Sequence, residues 1–133
     1  MTTSVAEQLG TVTLYERLGG AAGIRKIVDA MVDAHLRNPV IKMRFLPYLD
    51  QPERVAEIKQ HTCDFFAAHT DGPGAYHGRS MVEAHRGMNI AEAEYMAAMD
   101  DILGTLKGLG HSRDTRDEVT AMLYALKDDI IGV

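Results

Sequence analysis

A chain of 133 residues is long enough for one domain with its own core, and 46% hydrophobic with 25% charged residues is the balance of a globular protein in water. A net charge of −5 leaves no basic footprint for nucleic acid, and no apolar stretch approaches the ~20 residues of a membrane span. The lone cysteine, Cys63, excludes an internal disulfide framework and fits a reducing cytoplasm, while residues 1–8 do not read as a secretory signal.

Residues 1–11 read as a loosely held arm on a single domain spanning 1–133. The first helix is expected over 14–18, ended by Gly19-Gly20, where glycine permits the backbone reversal that closes a helix. The next, over 21–37, puts Ile24, Ile27, Val28, Met31 and His35 on one stripe. It stops at Asn38-Pro39, because the residue before a proline disfavours helix. Residues 40–48 read as a short helical corner that carries Phe45 and leaves at Pro47.

Pro52 suits the first turn of a helix over about 51–69, with Val55, Ile58, His61 or Thr62, Phe65 and Phe66 inward. Gly72-Pro73-Gly74 breaks the chain, and residues 79–85 form at most two turns. A helix over 91–109 turns Tyr95, Met99, Ile102, Leu103 and Leu106 inward. The last, over 113–131, does the same with Val119, Met122, Leu123, Leu126 and Ile130. No stretch alternates long enough for a strand, so the expected class is all-α. Eight methionines make a deformable interior.

Six histidines invite a metal reading. His61, His69, His77 and His85 recur every eight residues. On a helix that spacing separates side chains by roughly 80° and about 12 Å along the axis, too far for one small ion. His61 and Cys63 make a poor chelate, and no His-x-x-x-His or Cys-x-x-Cys occurs, which argues against zinc. Haem relaxes the constraint, because its iron needs one axial imidazole and the rest of the site is apolar wall. His85 suits that role, since a single short turn between glycine-broken segments holds one imidazole at a fixed angle. His61, on the helix upstream, can face the same point from the other side.

Several motifs fall in one order along the chain. They are Leu14-Tyr15-Glu16-Arg17-Leu18-Gly19-Gly20, the Phe45 corner, Phe65-Phe66-Ala67-Ala68 and Asp71-Gly72-Pro73. Tyr76-x-Gly78-Arg79-x-Met81-x-x-Ala84-His85, then Gly87-x-x-Ile90, and finally Lys127-Asp128-Asp129-Ile130 complete the series. Over roughly residues 13–132 the chain therefore resembles the group I truncated haemoglobins. That resemblance implies a shortened globin, a two-over-two sandwich of α-helices enclosing non-covalent haem b. It implies His85 as proximal iron ligand and reversible binding of a diatomic gas such as dioxygen or nitric oxide.

The same resemblance puts Phe45 at the haem-stacking phenylalanine. Tyr76 and Arg79 fall near the haem edge, where a hydroxyl or cation can meet a propionate; loop and cap roles suit these two equally. Ile58, Thr62, Phe65, Met81, Ile90 and Ile102 are expected to complete the wall. Asn89 stands where the family has a second glycine, and Asn tolerates the left-handed backbone. No histidine lies beyond His111, so the covalent vinyl link of some relatives is not expected.

The distal side departs from the family pattern. Val32 occupies the usual tyrosine position, twelve residues after Gly20, and Thr62 the usual glutamine position, with Ile58 at the gate. Two lost hydrogen bonds of about 1 kcal/mol each would weaken oxygen retention by one to two orders of magnitude. His61 aligns where some relatives carry an iron-binding histidine. It can act as sixth ligand, swing in as a donor to bound gas, or point to water or a propionate.

Cys63 and His69 are taken as structural, while His35, His77 and His111 are taken as exposed or as satisfied within the core. Ala97 and Ala98 suit either a gas route or plain helix. Three functions follow. The preferred one is reversible gas binding at a haem that His61 closes, serving storage, sensing or electron exchange with a reductase. The second is nitric oxide dioxygenase, which needs an open sixth site and retained dioxygen. The third is a haem-free helical interaction module.

Overall fold

The computed structural model describes residues 12–73 and 80–133. Helix α1 (Leu14–Arg17) starts at Thr13, whose hydroxyl accepts the Glu16 N–H at 3.1 Å. Gly19 and Gly20, at φ 99° and 67°, turn the chain into α2 (Gly20–Arg37). Gly23 allows the two helices to touch: a Cβ there would stand 2.1 Å from the Leu18 carbonyl oxygen. The expected stripe of α2 is buried, together with Val32.

After the extended Asn38, the corner holds one α-helical turn, α3 (Lys42–Phe45), and then a 3₁₀ turn over Leu46–Tyr48. Helix α4 (Pro52–His69) starts on its proline and fully buries only Phe65 and Phe66. Helix α5 (Met81–His85) is capped by Ser80, whose hydroxyl accepts the Glu83 N–H at 3.1 Å. Helix α6 (Glu92–Gly108) buries Tyr95, Met99, Ile102 and Leu106.

The helix expected over 113–131 is two helices, α7 (Arg113–Ala125) and α8 (Lys127–Ile130), separated at Leu126 with φ −91° and ψ −4°. The apolar stripe continues across the break, so periodicity gives no sign of it. Long-range pairing supplies the cause. Bending there brings residues 131–133 onto the loop after α5. Ile131 forms a parallel bridge with Ile90, and the Gly132 N–H donates to the Ile90 carbonyl at 3.0 Å. The Val133 oxygen accepts the N–H groups of Gly87 and Asn89 at 3.2 and 3.1 Å.

Helix α2 packs on both α4 and α6, and α6 packs on α7, the two-over-two arrangement of a shortened globin. Val28 and Val119, both at 0% exposure, mark the centre of the core, and each such burial contributes about 1.5–3 kcal/mol. Beyond the isolated bridge, no strand occurs among the described residues. No helix among them is long and apolar enough to cross a membrane.

Candidate functional site

A cavity of about 710 Å³ opens between α4 and α5, with α2, α3, α6 and the α7–α8 bend as its other walls. It brings together nine residues singled out in the sequence: Phe45, Ile58, His61, Thr62, Phe65, Met81, His85, Ile90 and Ile102. Tyr76 and Arg79 lie outside the described residues. Ala98 reaches the cavity wall, while Val32 is buried elsewhere in the core. A smaller hollow of about 290 Å³ beside Tyr15 and Cys63 has no histidine in its wall. Among the described residues, no three His, Cys, Asp or Glu side chains converge as a metal cage.

His85 is half-buried, and its Nδ1 lies 2.9 Å from the Met81 carbonyl oxygen one turn back. A carbonyl only accepts, so Nδ1 carries the proton and Nε2 keeps a free lone pair. The loop beyond reverses at Gly87 (φ 85°) and Asn89 (φ 46°) and is tied down by residues 132–133. The left-handed backbone expected of Asn89 is present.

On α4 the Thr62 hydroxyl donates to the Ile58 carbonyl at 2.8 Å. Its proton is engaged within the helix, so only its lone pairs remain for the cavity. His61 lines the same cavity as an exposed residue.

Two polar networks in the wall have no counterpart in the sequence motifs. Arg44 donates from Nε and Nη2 to the Glu94 carboxylate at 2.7 and 2.8 Å, and from Nη1 to the Met88 carbonyl at 2.7 Å. Glu94 also accepts the Ala91 N–H at 3.0 Å. The Arg44 guanidinium, with help from that N–H, holds the Glu94 carboxyl at about 2. In the second network, His35 Nδ1 stands 2.8 Å from Asp101 Oδ2, and its ring stacks on Phe45 with centroids 5.3 Å apart. Burial pulls the His35 pKa down, and the hydrogen bond and charge of Asp101 oppose it. His35 is thus the satisfied core histidine that was one of its two expected readings.

Tyr95, also in the wall, donates its hydroxyl to the Leu123 carbonyl at 2.5 Å, and burial pushes that hydroxyl up to about 12. Cys63 is half-buried, and burial pushes its thiol up, which fits a structural role. His69 packs on the Phe65 ring at 4.2 Å, and His111 is half-buried. Only the apolar periodicity of α2 pointed toward His35. Nothing local pointed to Asp101, 66 residues away, or to the Arg44–Glu94 pair, 50 residues apart.

These residues fit a flat apolar macrocycle. The wall is mostly aliphatic, aromatic and methionine side chains, His85 offers a free nitrogen, and the partly exposed Arg54 and the exposed His61 supply polar groups. Comparison with known proteins agrees with that chemistry. A family model described as bacterial-like globin matches residues 13–131. The group 1 truncated haemoglobin of Tetrahymena pyriformis is 30% identical over 120 residues, covering 90% of this chain and 95% of the relative. That of Synechocystis is 32% identical over 117 residues, covering 85% and 90%.

Among solved structures, the Fe(III) form of the Tetrahymena pyriformis truncated haemoglobin superposes with a TM-score of 0.83 at 27% identity, covering 91% of this chain and 99% of that one. A Synechococcus 2/2 haemoglobin, in the cyanomet state with covalently attached haem, superposes with a TM-score of 0.80 at 27% identity over 90% and 98%. With its motifs in register, its helices in the same arrangement and its relatives matched along nearly their whole length, this chain belongs to the group 1 truncated haemoglobins, within the bacterial-like globins.

Proposed function

We propose that the cavity holds non-covalent haem b on His85 and that the protein binds a diatomic gas, dioxygen or nitric oxide, reversibly. Haem, when bound, supplies an iron centre that takes a gas ligand and exchanges electrons. The observation that carries the reading is the Nδ1–H of His85 on the Met81 carbonyl, at 2.9 Å. That bond selects the tautomer, fixes the ring plane and makes Nε2 more basic, as an acceptor behind a ligating imidazole does. Phe45, Phe65, Met81, Ile90 and Ile102 exclude water from the slot. Tyr76 and Arg79 are assigned to the propionate edge.

His61 is assigned as the sixth ligand, displaced by the external gas. It lines the cavity and makes no hydrogen bond or ion pair among the described residues, so turning inward breaks none there. Thr62 donates inside its own helix and Val32 has no polar side-chain atom, so neither donates a hydrogen bond to a bound gas. This favours a displaceable closed site over nitric oxide dioxygenase, which requires dioxygen to be retained. A reductase is the natural partner for redox cycling, and a reducing cytoplasm suits the single thiol.

Absorption spectra of the haem-loaded protein test the assignment. Low-spin bands are expected in both ferric and ferrous forms and should disappear in His61→Ala. A five-coordinate ferrous spectrum in the wild type would remove His61 from the iron. Rapid consumption of nitric oxide by the oxygenated protein would favour the enzyme instead.

A further inference from the structure

We propose that His35, held by Asp101, is a positioning residue that sets how Phe45 faces the occupant of the cavity; the identity of that occupant rests on the haem reading above. Phe45 sits on α3, a single turn that buries none of its residues, so burial of that turn does not fix the ring. What the ring does meet is the His35 imidazole, 5.3 Å away and tilted by 21°, the geometry of a stacked pair. His35 is 5% exposed in the last turn of α2 and lines the same cavity.

An unanchored imidazole would rotate and let its neighbour rotate with it. This one is clamped at Nδ1, which donates to Asp101 Oδ2 at 2.8 Å. Asp101 is itself held, because Asn38 Nδ2 donates to both of its oxygens at 3.1 Å. Asn38 in turn accepts the Val40 N–H at 3.0 Å and so ties the start of the corner to the same cluster. The contacts therefore run from α6 through the end of α2 to the aromatic face of α3.

The Arg44–Glu94 pair fastens α3 to α6 through the Arg44 side chain and does not involve the Phe45 ring. A carboxylate and an imidazole buried together gain little net stability, since desolvation offsets their attraction. An apolar pair would fill the space as well. Orientation is what the polar pair adds, and Phe45 is the ring it orients.

The test measures haem transfer to excess apomyoglobin and the ring-proton shifts of Phe45, with and without haem. Asp101→Ala should speed haem loss about tenfold, the low end of the effect of losing an outer-shell partner at a metal site, and should move the Phe45 shifts. Asp101→Asn keeps an acceptor for the Nδ1–H and should return both readouts close to wild type. A merely structural role would lower the denaturation midpoint while leaving the Phe45 shifts in place, and that result overturns the proposal.

His35→Leu, similar in size and free of the buried polar group, carries the same expectation should Asp101→Ala not fold. Unchanged haem loss and unchanged Phe45 shifts in that variant also overturn it. A wild-type protein that takes up no haem would defeat the haem reading alone. The Phe45 shifts of the apoprotein still decide the positioning role, and shifts unmoved by Asp101→Ala or His35→Leu reject it.

Discussion

The Nδ1 of His85 and the carbonyl oxygen of Met81 stand 2.9 Å apart at the two ends of a single helical turn, so α5 supplies both the imidazole and the group that selects its tautomer. Five residues suffice because the turn is fixed from outside. Ser80 caps its start, and residues 132–133 pin the loop that follows its end. Helix propensity has little part in it, since a helix this short does not persist alone in water.

Under the proposed assignment, replacing His85 by Gly should remove the nitrogen that would hold the haem while leaving the wall intact. Haem affinity is expected to fall by more than the roughly 10–100-fold typical of losing only the partner behind a ligand, and added imidazole should restore much of it. Titration with haem, followed by absorbance, reads both effects. Retention of wild-type affinity without imidazole would show that another residue holds the iron.

On the haem reading, Thr62→Gln should add an amide donor to the α4 side of the cavity. The native hydroxyl donates to the Ile58 carbonyl at 2.8 Å, whereas a glutamine at this cavity-lining position is long enough to carry its amide beyond that carbonyl. One added hydrogen bond of about 1 kcal/mol should slow dioxygen release roughly fivefold. Stopped-flow displacement of dioxygen by carbon monoxide measures the rate, and an unchanged rate would mean that position 62 does not face the gas.

The Arg44–Glu94 pair predicts a specific acid response. In the folded chain the Glu94 carboxyl lies at about 2 rather than its ordinary 4.5. Its contribution is therefore fully present above 4.5 and is lost as pH falls toward 2. Solvent reaches both side chains, at 30% and 22% exposure, so the effect should be on the order of 1 kcal/mol, well below that of a sealed pair. Glu94→Gln should flatten the dependence of the urea midpoint on pH across that window and leave it unchanged elsewhere. An equally steep acid slope in the variant would remove Glu94 as its source.

Asn89, at φ 46°, occupies the left-handed region where a branched side chain is strained. Asn89→Gly should leave the melting temperature unchanged or slightly higher. Asn89→Val should cost about 1–2 kcal/mol and loosen the loop behind His85. Thermal denaturation of both variants gives the comparison, and equal stability would show that the loop relaxes out of the left-handed conformation.

Much of this protein was legible in its sequence because the relevant forces are local. The apolar stripes of α2 and α6 follow from helical period alone; α2 buries every residue the period selects, and α6 all but Leu103, which is only partly buried. Glycine at positions 19, 20 and 87 and asparagine at 89 mark the reversals, because few other residues accept their backbone angles. The family resemblance placed Phe45, Ile58, His61, Thr62, Phe65, Met81, His85, Ile90 and Ile102 at one expected site, and the fold gathers all nine around one cavity. Tertiary structure decided the rest, because those interactions join residues far apart in the chain. The continuous stripe through Leu126 concealed the bend that brings the last residues onto the loop after His85. The pairing of His35 with Asp101 and of Arg44 with Glu94 required α2 and α3 to meet α6. The identity of Thr62 marked a missing glutamine, but only the folded helix showed where its proton goes.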